Sequence, residues 1–440
     1  MKRNREKRRL SAGTVFMLIL SAAVICGSAL VLGRLSSGAS VDLNKLKRNV
    51  LNIQDGAPEA PEGETPQAAQ QAAQPAAAAG KEKSDPQPAA GKQEETQPAG
   101  TGSFTLTLAG TVAFTDEIRK NCRSLDAKDW DFSDIMMLIA PKIDGDVRGA
   151  FLENLLSDSD KATDTVAPAQ FADVLQEGGF GMAACGFSQA WAKGADGITA
   201  TRNRLKERGI LPLGIRDADA QSQVRTAVYN GVCTAILQYT DTISAKTRKS
   251  MEKAGETGMV PAADAEAIAA EIARAREQGA NAVIVLMNWG KVGKDPDKNQ
   301  RALAEAIAQA GADLIVGSGS RVPQAAEYLA GKNGKQVLCV WSLGTLLSGD
   351  RSNTRRVSGY LLHVTVRQNA SGGAEIEDPR YTPVYTWKYK QDGRFYYRCV
   401  AADQPAPDGM DNEQKNTMAK AEEIVRGVLD GSPVKQRGSD

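Results

Sequence analysis

Between Ser11 and Gly33 the chain runs 23 residues without a charge, rich in Leu, Val, Ile and Ala. About 20 apolar residues suffice to cross a hydrocarbon core as a helix, so residues 11–33 are expected to anchor the chain in a bilayer. The preceding residues 1–10 carry Lys2, Arg3, Arg5, Lys7, Arg8 and Arg9 against the single acid Glu6. A basic flank of this kind stays in the cytoplasm, which places everything after Arg34 outside the cell. A cleaved signal peptide is the rival reading, with Ser37-Gly38-Ala39 as the small-residue cleavage site. The stretch exceeds the usual apolar region of about 7 to 15 residues, which favours the retained anchor. Cys26 follows the bulky Ile25, so it reads as an apolar membrane cysteine and not as a lipid-attachment site.

Residues 34–53 form a juxtamembrane segment in which Leu43, Leu46, Val50 and Ile53 recur at helical spacing. Residues 54–103 then contain no Val, Ile, Leu, Met, Cys or aromatic side chain. Such a segment cannot bury enough surface to offset chain entropy, and it reads as a disordered tether. A flexible chain of that length spans on the order of 40 Å. Net charge over the whole chain is only +1, from 54 basic and 53 acidic residues, so nothing global draws it to nucleic acid.

From Phe104 the texture changes to short apolar runs alternating with amphipathic stretches. Strand-like runs lie at 104–108, 232–238, 282–287, 313–316, 336–341 and 359–366, and helical stretches at 263–277 and 300–310. That alternation predicts an α/β fold with a layered sheet, whose ligand-binding loops follow the carboxyl ends of strands. A strand pair at 381–388 and 395–400 completes a domain over 104–400. The tail 401–440 carries a helix at about 412–429, with Met418, Ala421, Ile424, Val425 and Val428 on one face. Docking of that helix on the domain is the expectation, and partner binding is the alternative.

Imidazole is the commonest metal and acid/base side chain, yet His363 is the only histidine present. Its strand neighbours Tyr360, Leu362 and Val364 fall on the opposite face, and no paired serine lies near it in the chain. Cys122, Cys185, Cys233, Cys339 and Cys399 are odd in number with no close pair, so no disulfide framework is implied. There is no CxxC knot, GxSxG elbow or P-loop.

The succession of these pieces resembles the CapA family, poly-γ-glutamate capsule synthesis proteins with a calcineurin-like metallophosphoesterase fold. The resemblance spans about Phe104 to Val366. The family's opening strand and Gly-Asp is similar to Leu108-Ala109-Gly110-Thr111, and its Asn-Leu-Glu to Phe151-Leu152-Glu153. Its Ala-Asn-Asn-His corresponds to Ala184-Cys185-Gly186-Phe187, and its His-Trp-Gly to Asn288-Trp289-Gly290. Ala310 to Gln324 resembles the family's Ala-Gly-Ala-Asp run through Gly-His-His-Pro-His, and Trp341-Ser342-Leu343-Gly344 its Tyr-Ser-Leu-Gly. The resemblance implies a layered metallophosphatase-like β-sandwich flanked by helices, preceded by one transmembrane helix and the linker.

In each motif the glycines and apolar residues remain while the ligands are replaced. Thr111 stands for an Asp, Phe151 and Cys185 for Asn, and Phe187, Asn288, Ser318, Gly319 and Arg321 for His. A two-metal site needs carboxylates and imidazoles around ions roughly 4 Å apart, and of the matched positions only Glu153 is a firm ligand. Arg321, if inward, adds a repulsion on the order of several kcal/mol against a dication. No metal pair, no cofactor and no catalytic residue are therefore expected. Thr111, Glu153, Ser188, Asn288, Trp289, Ser318, Ser320 and Arg321 are the candidate ligand-binding set, suited to an anionic group such as a glutamyl carboxylate or wall phosphate. The competing readings are a scaffold acting through its outer surface, and a hydrolase or transferase of envelope polymers with a relocated site. The resemblance also implies envelope polymer and polymer-synthase membrane proteins as partners.

Overall fold

The computed structural model describes residues 102–438 except 125–128, 160, 219 and 221. The expected anchor 11–33, the juxtamembrane segment 34–53 and the tether up to residue 101 lie outside the described residues. The folded body begins a residue earlier than expected, because Ser103 already pairs with Arg367.

The chain opens with β1 (Ser103–Val112), α1 (Asp116–Asn121), β2 (Val147–Leu152), β3 (Leu155–Ser157), β4 (Val166–Pro168) and α2 (Ala172–Glu177). It continues with β5 (Met182–Ala184), α3 (Gly194–Lys206), β6 (Leu211–Leu213), β7 (Thr226–Tyr229), β8 (Val232–Thr240), α4 (Ala245–Ala254) and α5 (Ala265–Glu277). Then come β9 (Ala282–Asn288), α6 (Lys298–Ala310), β10 (Leu314–Ser318), β11 (Ala326–Ala330), β12 (Gln336–Val340) and β13 (Thr345–Leu347). The last elements are β14 (Ser358–Gln368), β15 (Ala374–Gln391), β16 (Arg394–Ala401), α7 (Asn412–Val428) and β17 (Lys435–Gln436).

Among the described residues one sheet has nine strands in the order β16-β15-β14-β1-β2-β5-β6, with β13 beside β1 and β17 beside β15. A second has six, β11-β12-β10-β9-β8-β7, and β3 pairs with β4. Strands β1, β2, β5 and β6 run parallel, as do β8, β9, β10 and β12. This follows from the alternation of strand and helix in the chain, since parallel neighbours need a crossover.

Period-2 alternation on each strand explains how the sheets stack. Leu106 and Leu108 of β1, Ile284 and Leu286 of β9, Leu314 and Val316 of β10, and Leu362 and Val364 of β14 share one core between the sheets. The intervening Val283, Val285 and Met287 face the other way, onto Ile268 and Ile272 of α5 and Ala304 and Ile307 of α6. On the outer side of the first sheet, Ala150 and Leu152 pack with Val174 and Leu175 of α2 and Ile198 and Leu205 of α3. The result is a helix–sheet–sheet–helix sandwich, the layered α/β architecture expected from the sequence.

The helix at 412–428 docks, burying Met418, Ala421 and Val425, and starts at a capping box between Asp411 and Gln414. Its successor β17 pairs with β15, so the tail joins the same body as the strands. Among the described residues no helix is long and apolar enough to cross a membrane. Cys122, Cys185, Cys233, Cys339 and Cys399 are all free.

Candidate functional site

The carboxyl ends of β1, β2, β9 and β10 meet between the two sheets. A β-bulge decides what β1 contributes there. Its register with β2 shifts between Ala109 and Thr111. Unbroken alternation from Leu106 and Leu108 would point Val112 at the second sheet; instead Val112 packs outward and Thr111 reaches Ser318 of β10. Gly110 makes the bulge feasible, because a Cβ there would lie 2.4 Å from the carbonyl oxygen of Gly344. Gly317 on β10 allows a comparably close backbone approach in the other sheet without a bulge, since a Cβ there would meet the Trp341 carbonyl oxygen at 2.1 Å.

Glu153, immediately after β2, is the hub. Its side chain is 5% exposed. Oε1 accepts from Thr111 Oγ1 and from Asn288 Nδ2, both at 3.1 Å. Oε2 accepts from Arg321 Nε at 2.6 Å. The Thr111 and Ser318 hydroxyl oxygens are 2.9 Å apart. Since the Thr111 proton goes to Glu153, Ser318 is the donor of that pair. Asn288 is itself oriented from behind, its Oδ1 accepting from Thr242 Oγ1 at 3.1 Å and from Thr240 Oγ1 at 3.4 Å. Arg321 comes from the loop after β10 with a left-handed φ of 55°, and its carbonyl oxygen accepts from Thr345 Oγ1 at 3.1 Å. The Glu153 charge raises the Arg321 guanidinium further above its ordinary value. A non-glycine residue in that region costs about 1 kcal/mol, here offset by a charge-assisted bond.

The sequence-predicted set divides. Thr111, Glu153, Asn288, Ser318 and Arg321 form one connected cluster, although up to 207 positions separate its hydrogen-bonded members. Ser320 lies next to it but faces the loop, 3.0 Å from both Ser342 Oγ and the Val322 carbonyl oxygen. Trp289 is fully buried; its ring stacks on Trp341 at 5.5 Å and its Nε1 donates to the Trp341 carbonyl. Neither ring presents a face to a ligand. Ser188 sits in an exposed turn and makes none of these contacts. Thr240, Thr242 and Thr345 complete the arrangement and carried no sequence signal, being hydroxyl residues at strand ends with no distinctive spacing.

The arrangement is a satisfied ion pair more than an open reaction centre. Both oxygens of Glu153 are engaged by neighbouring donors, so the buried carboxylate is held within the cluster and not presented to a substrate. Among the described residues no group of three His, Cys, Asp or Glu side chains converges as a metal site would require. The donor set therefore does not fit a metal pair, since Arg321 brings a fixed positive charge to the only carboxylate of the cluster.

Residues 105–350, more than half of the chain, match the family described as Bacterial capsule synthesis protein PGA_cap. The PGA biosynthesis protein CapA of Bacillus subtilis (strain 168) is 29% identical over 206 residues, 46% of this chain and 51% of that protein. The Capsule biosynthesis protein CapA of Bacillus anthracis is 28% identical over 225 residues, 50% of this chain and 52% of that protein. The chain thus spans about half the length of the curated relatives it matches. Among solved structures, the calcineurin-like phosphoesterase YfkN from Bacillus subtilis aligns with a TM-score of 0.37 at 10% identity, over 74% of this chain and 99% of that one.

Proposed function

The chain belongs to the PGA_cap family of bacterial capsule synthesis proteins, and on that premise we propose that it serves assembly of a capsule polymer, poly-γ-glutamate or a related envelope polymer, as a non-hydrolytic binding or scaffold component. One observation carries the reading. Arg321 Nε lies 2.6 Å from Glu153 Oε2, at the strand ends where the family resemblance calls for dication ligands. A guanidinium in that place supplies fixed charge without the Lewis acidity or the activated water that phosphoester hydrolysis needs. The uncharged stretch 11–33 and its basic flank support a single-pass anchor with a cytoplasmic N-terminus and the folded body outside the cell. The tether then lets that body work at a distance from the bilayer.

Elemental analysis of the full chain, purified in detergent after exposure to manganese, iron and zinc, tests the reading. Metal below about a tenth of an equivalent per chain, with no turnover of a phosphodiester substrate, is the expected result. A tightly held equivalent with turnover overturns it.

A further inference from the structure

The two sheets end on the same side of the sandwich in unpaired edge strands, β6 on the larger and β7 on the smaller. Between them lies a cavity of about 300 Å³. Its floor is apolar, formed by Leu213, Tyr229 and Ile236 at the margin of the inter-sheet core. Its walls carry four cations: Arg202 and Lys206 from the end of α3, Arg216 from the loop after β6, and Arg225 before β7.

Among the described residues two acids stand near them. Asp217 accepts from Arg202 Nη2 at 2.6 Å. Glu271 of α5 lies within electrostatic reach of Arg216, but its Oε2 accepts from Ser222 Oγ at 2.5 Å. Arg216 spends its Nε on the Gly258 carbonyl oxygen at 2.5 Å. Among the described residues, Lys206, Arg216 and Arg225 have no ion-pair partner. The crowding is felt within the cluster: Arg202 first, with burial and Arg225 adding to it, draws the Lys206 ammonium below its ordinary value. Like charges gathered in a concave, partly apolar wall focus a positive potential that folding alone does not use. Close by in the chain, Arg204 is paired with Glu207 and Arg208 with Asp173.

We propose that this groove binds a linear polycarboxylate, a glutamyl chain whose carboxylates meet Lys206, Arg216 and Arg225 while its methylenes lie on Leu213, Tyr229 and Ile236. The choice of a glutamyl chain rests on the capsule-polymer reading; the groove itself does not. A polymer with carboxylates spaced by methylenes matches both the charged walls and the greasy floor, whereas a densely charged chain without apolar spacing matches only the walls. The site is separate from the Glu153–Arg321 cluster, so the central pair can stay closed while polymer is held at the sheet edges.

The test uses the full chain in detergent and a fluorescent glutamate oligomer, with affinity read by anisotropy. Lys206 and Arg225 are exposed, so the double variant Lys206→Gln/Arg225→Gln keeps the fold, which circular dichroism and an unchanged melting temperature verify. The expected result is a loss of affinity of about tenfold or more and a shallower salt dependence, with Lys415→Gln on α7 unchanged as a control. Equal affinity of the double variant and the native chain overturns the proposal. So does inorganic polyphosphate that binds as tightly as the glutamate oligomer, since charge alone would then account for the site. The length of the recovered oligomer reports separately on the non-hydrolytic reading: cleavage would sink that reading and leave the groove's binding result standing.

Discussion

Strand β1 meets a polar cluster at each end, and the two are arranged in opposite ways. At its carboxyl end Thr111 joins Glu153, Asn288, Ser318 and Arg321 between the sheets, where the carboxylate is buried and every oxygen is taken. At its amino end, on the outer face of the first sheet, Thr105 and Thr107 border a cavity of about 350 Å³ with His363, Asp144 and Arg437. There the charged partners are half exposed: Arg437 Nη1 and Nη2 donate to the two Asp144 oxygens at 2.8 and 2.7 Å. His363 is neutral between them. The Thr107 hydroxyl donates to the Asp144 carbonyl oxygen, so His363 Nδ1–H donates to Thr107 at 3.0 Å, and Nε2 accepts from Thr382 Oγ1 at 3.1 Å. The contrast teaches that polarity and proximity do not make a reactive site. One end has charge without access, and the other has access with an imidazole held in its uncharged form.

The largest expected effect is at the dry end. Arg321→Met leaves Glu153 buried without its countercharge and should cost about 4 kcal/mol in urea unfolding. Adding Glu153→Gln should restore most of that loss, and no recovery in the double variant would mean the pair is not the unit it is described as. At the wet end the expected effect depends on pH. Burial, followed by the Arg437 charge, lowers the His363 pKa from 6.5 to about 4. The unfolded chain therefore binds the proton more readily, so this group's contribution is intact above about pH 6.5 and is lost as pH falls toward 4. The loss amounts to up to about 3 kcal/mol, and His363→Gln should flatten the stability profile over that window. An unchanged slope would break the contrast.

Thr111→Val removes one donor from a buried carboxylate at nearly constant shape, and a loss of about 2 kcal/mol is expected from thermal melting. The smallest effect belongs to Arg437→Gln, whose bidentate bond to Asp144 is about half exposed; salt-sensitive destabilisation of about 1 kcal/mol or less is expected. If Arg437→Gln proved as costly as Arg321→Met, the distinction between the two ends would fail.

Much of this body was legible in the chain. The strands at 232–240, 282–288 and 358–368 and the helices at 265–277, 298–310 and 412–428 lie within a few residues of their expected positions, because long apolar runs and strong periodicity leave little choice. The side chain of His363 was expected opposite Tyr360, Leu362 and Val364, and it is, since alternation along a strand is a local rule. β15 was harder: it runs from Ala374, well before the expected Tyr381, because its polar first half is held by pairing with β14, which its own sequence does not encode. In the cluster, Thr111, Glu153, Asn288, Ser318 and Arg321 were nominated by motif position, while Ser188 was nominated by the same reasoning and stands apart on an exposed turn. Neighbourhood in a motif does not fix which way a loop turns.

The sequence by itself determined the alternating α/β body and the division between an uncharged apolar N-terminal stretch and the part that begins near Phe104. Those properties are carried by composition and local periodicity, and they need no distant partner. Tertiary structure alone decided that the Gly110 bulge turns Thr111 inward, that Arg321 closes on Glu153, that Trp289 and Trp341 spend their faces on each other, and that four cations share one groove. Each of these joins residues far apart in the chain through a few ångströms of space, and such distances exist only once both sheets have packed.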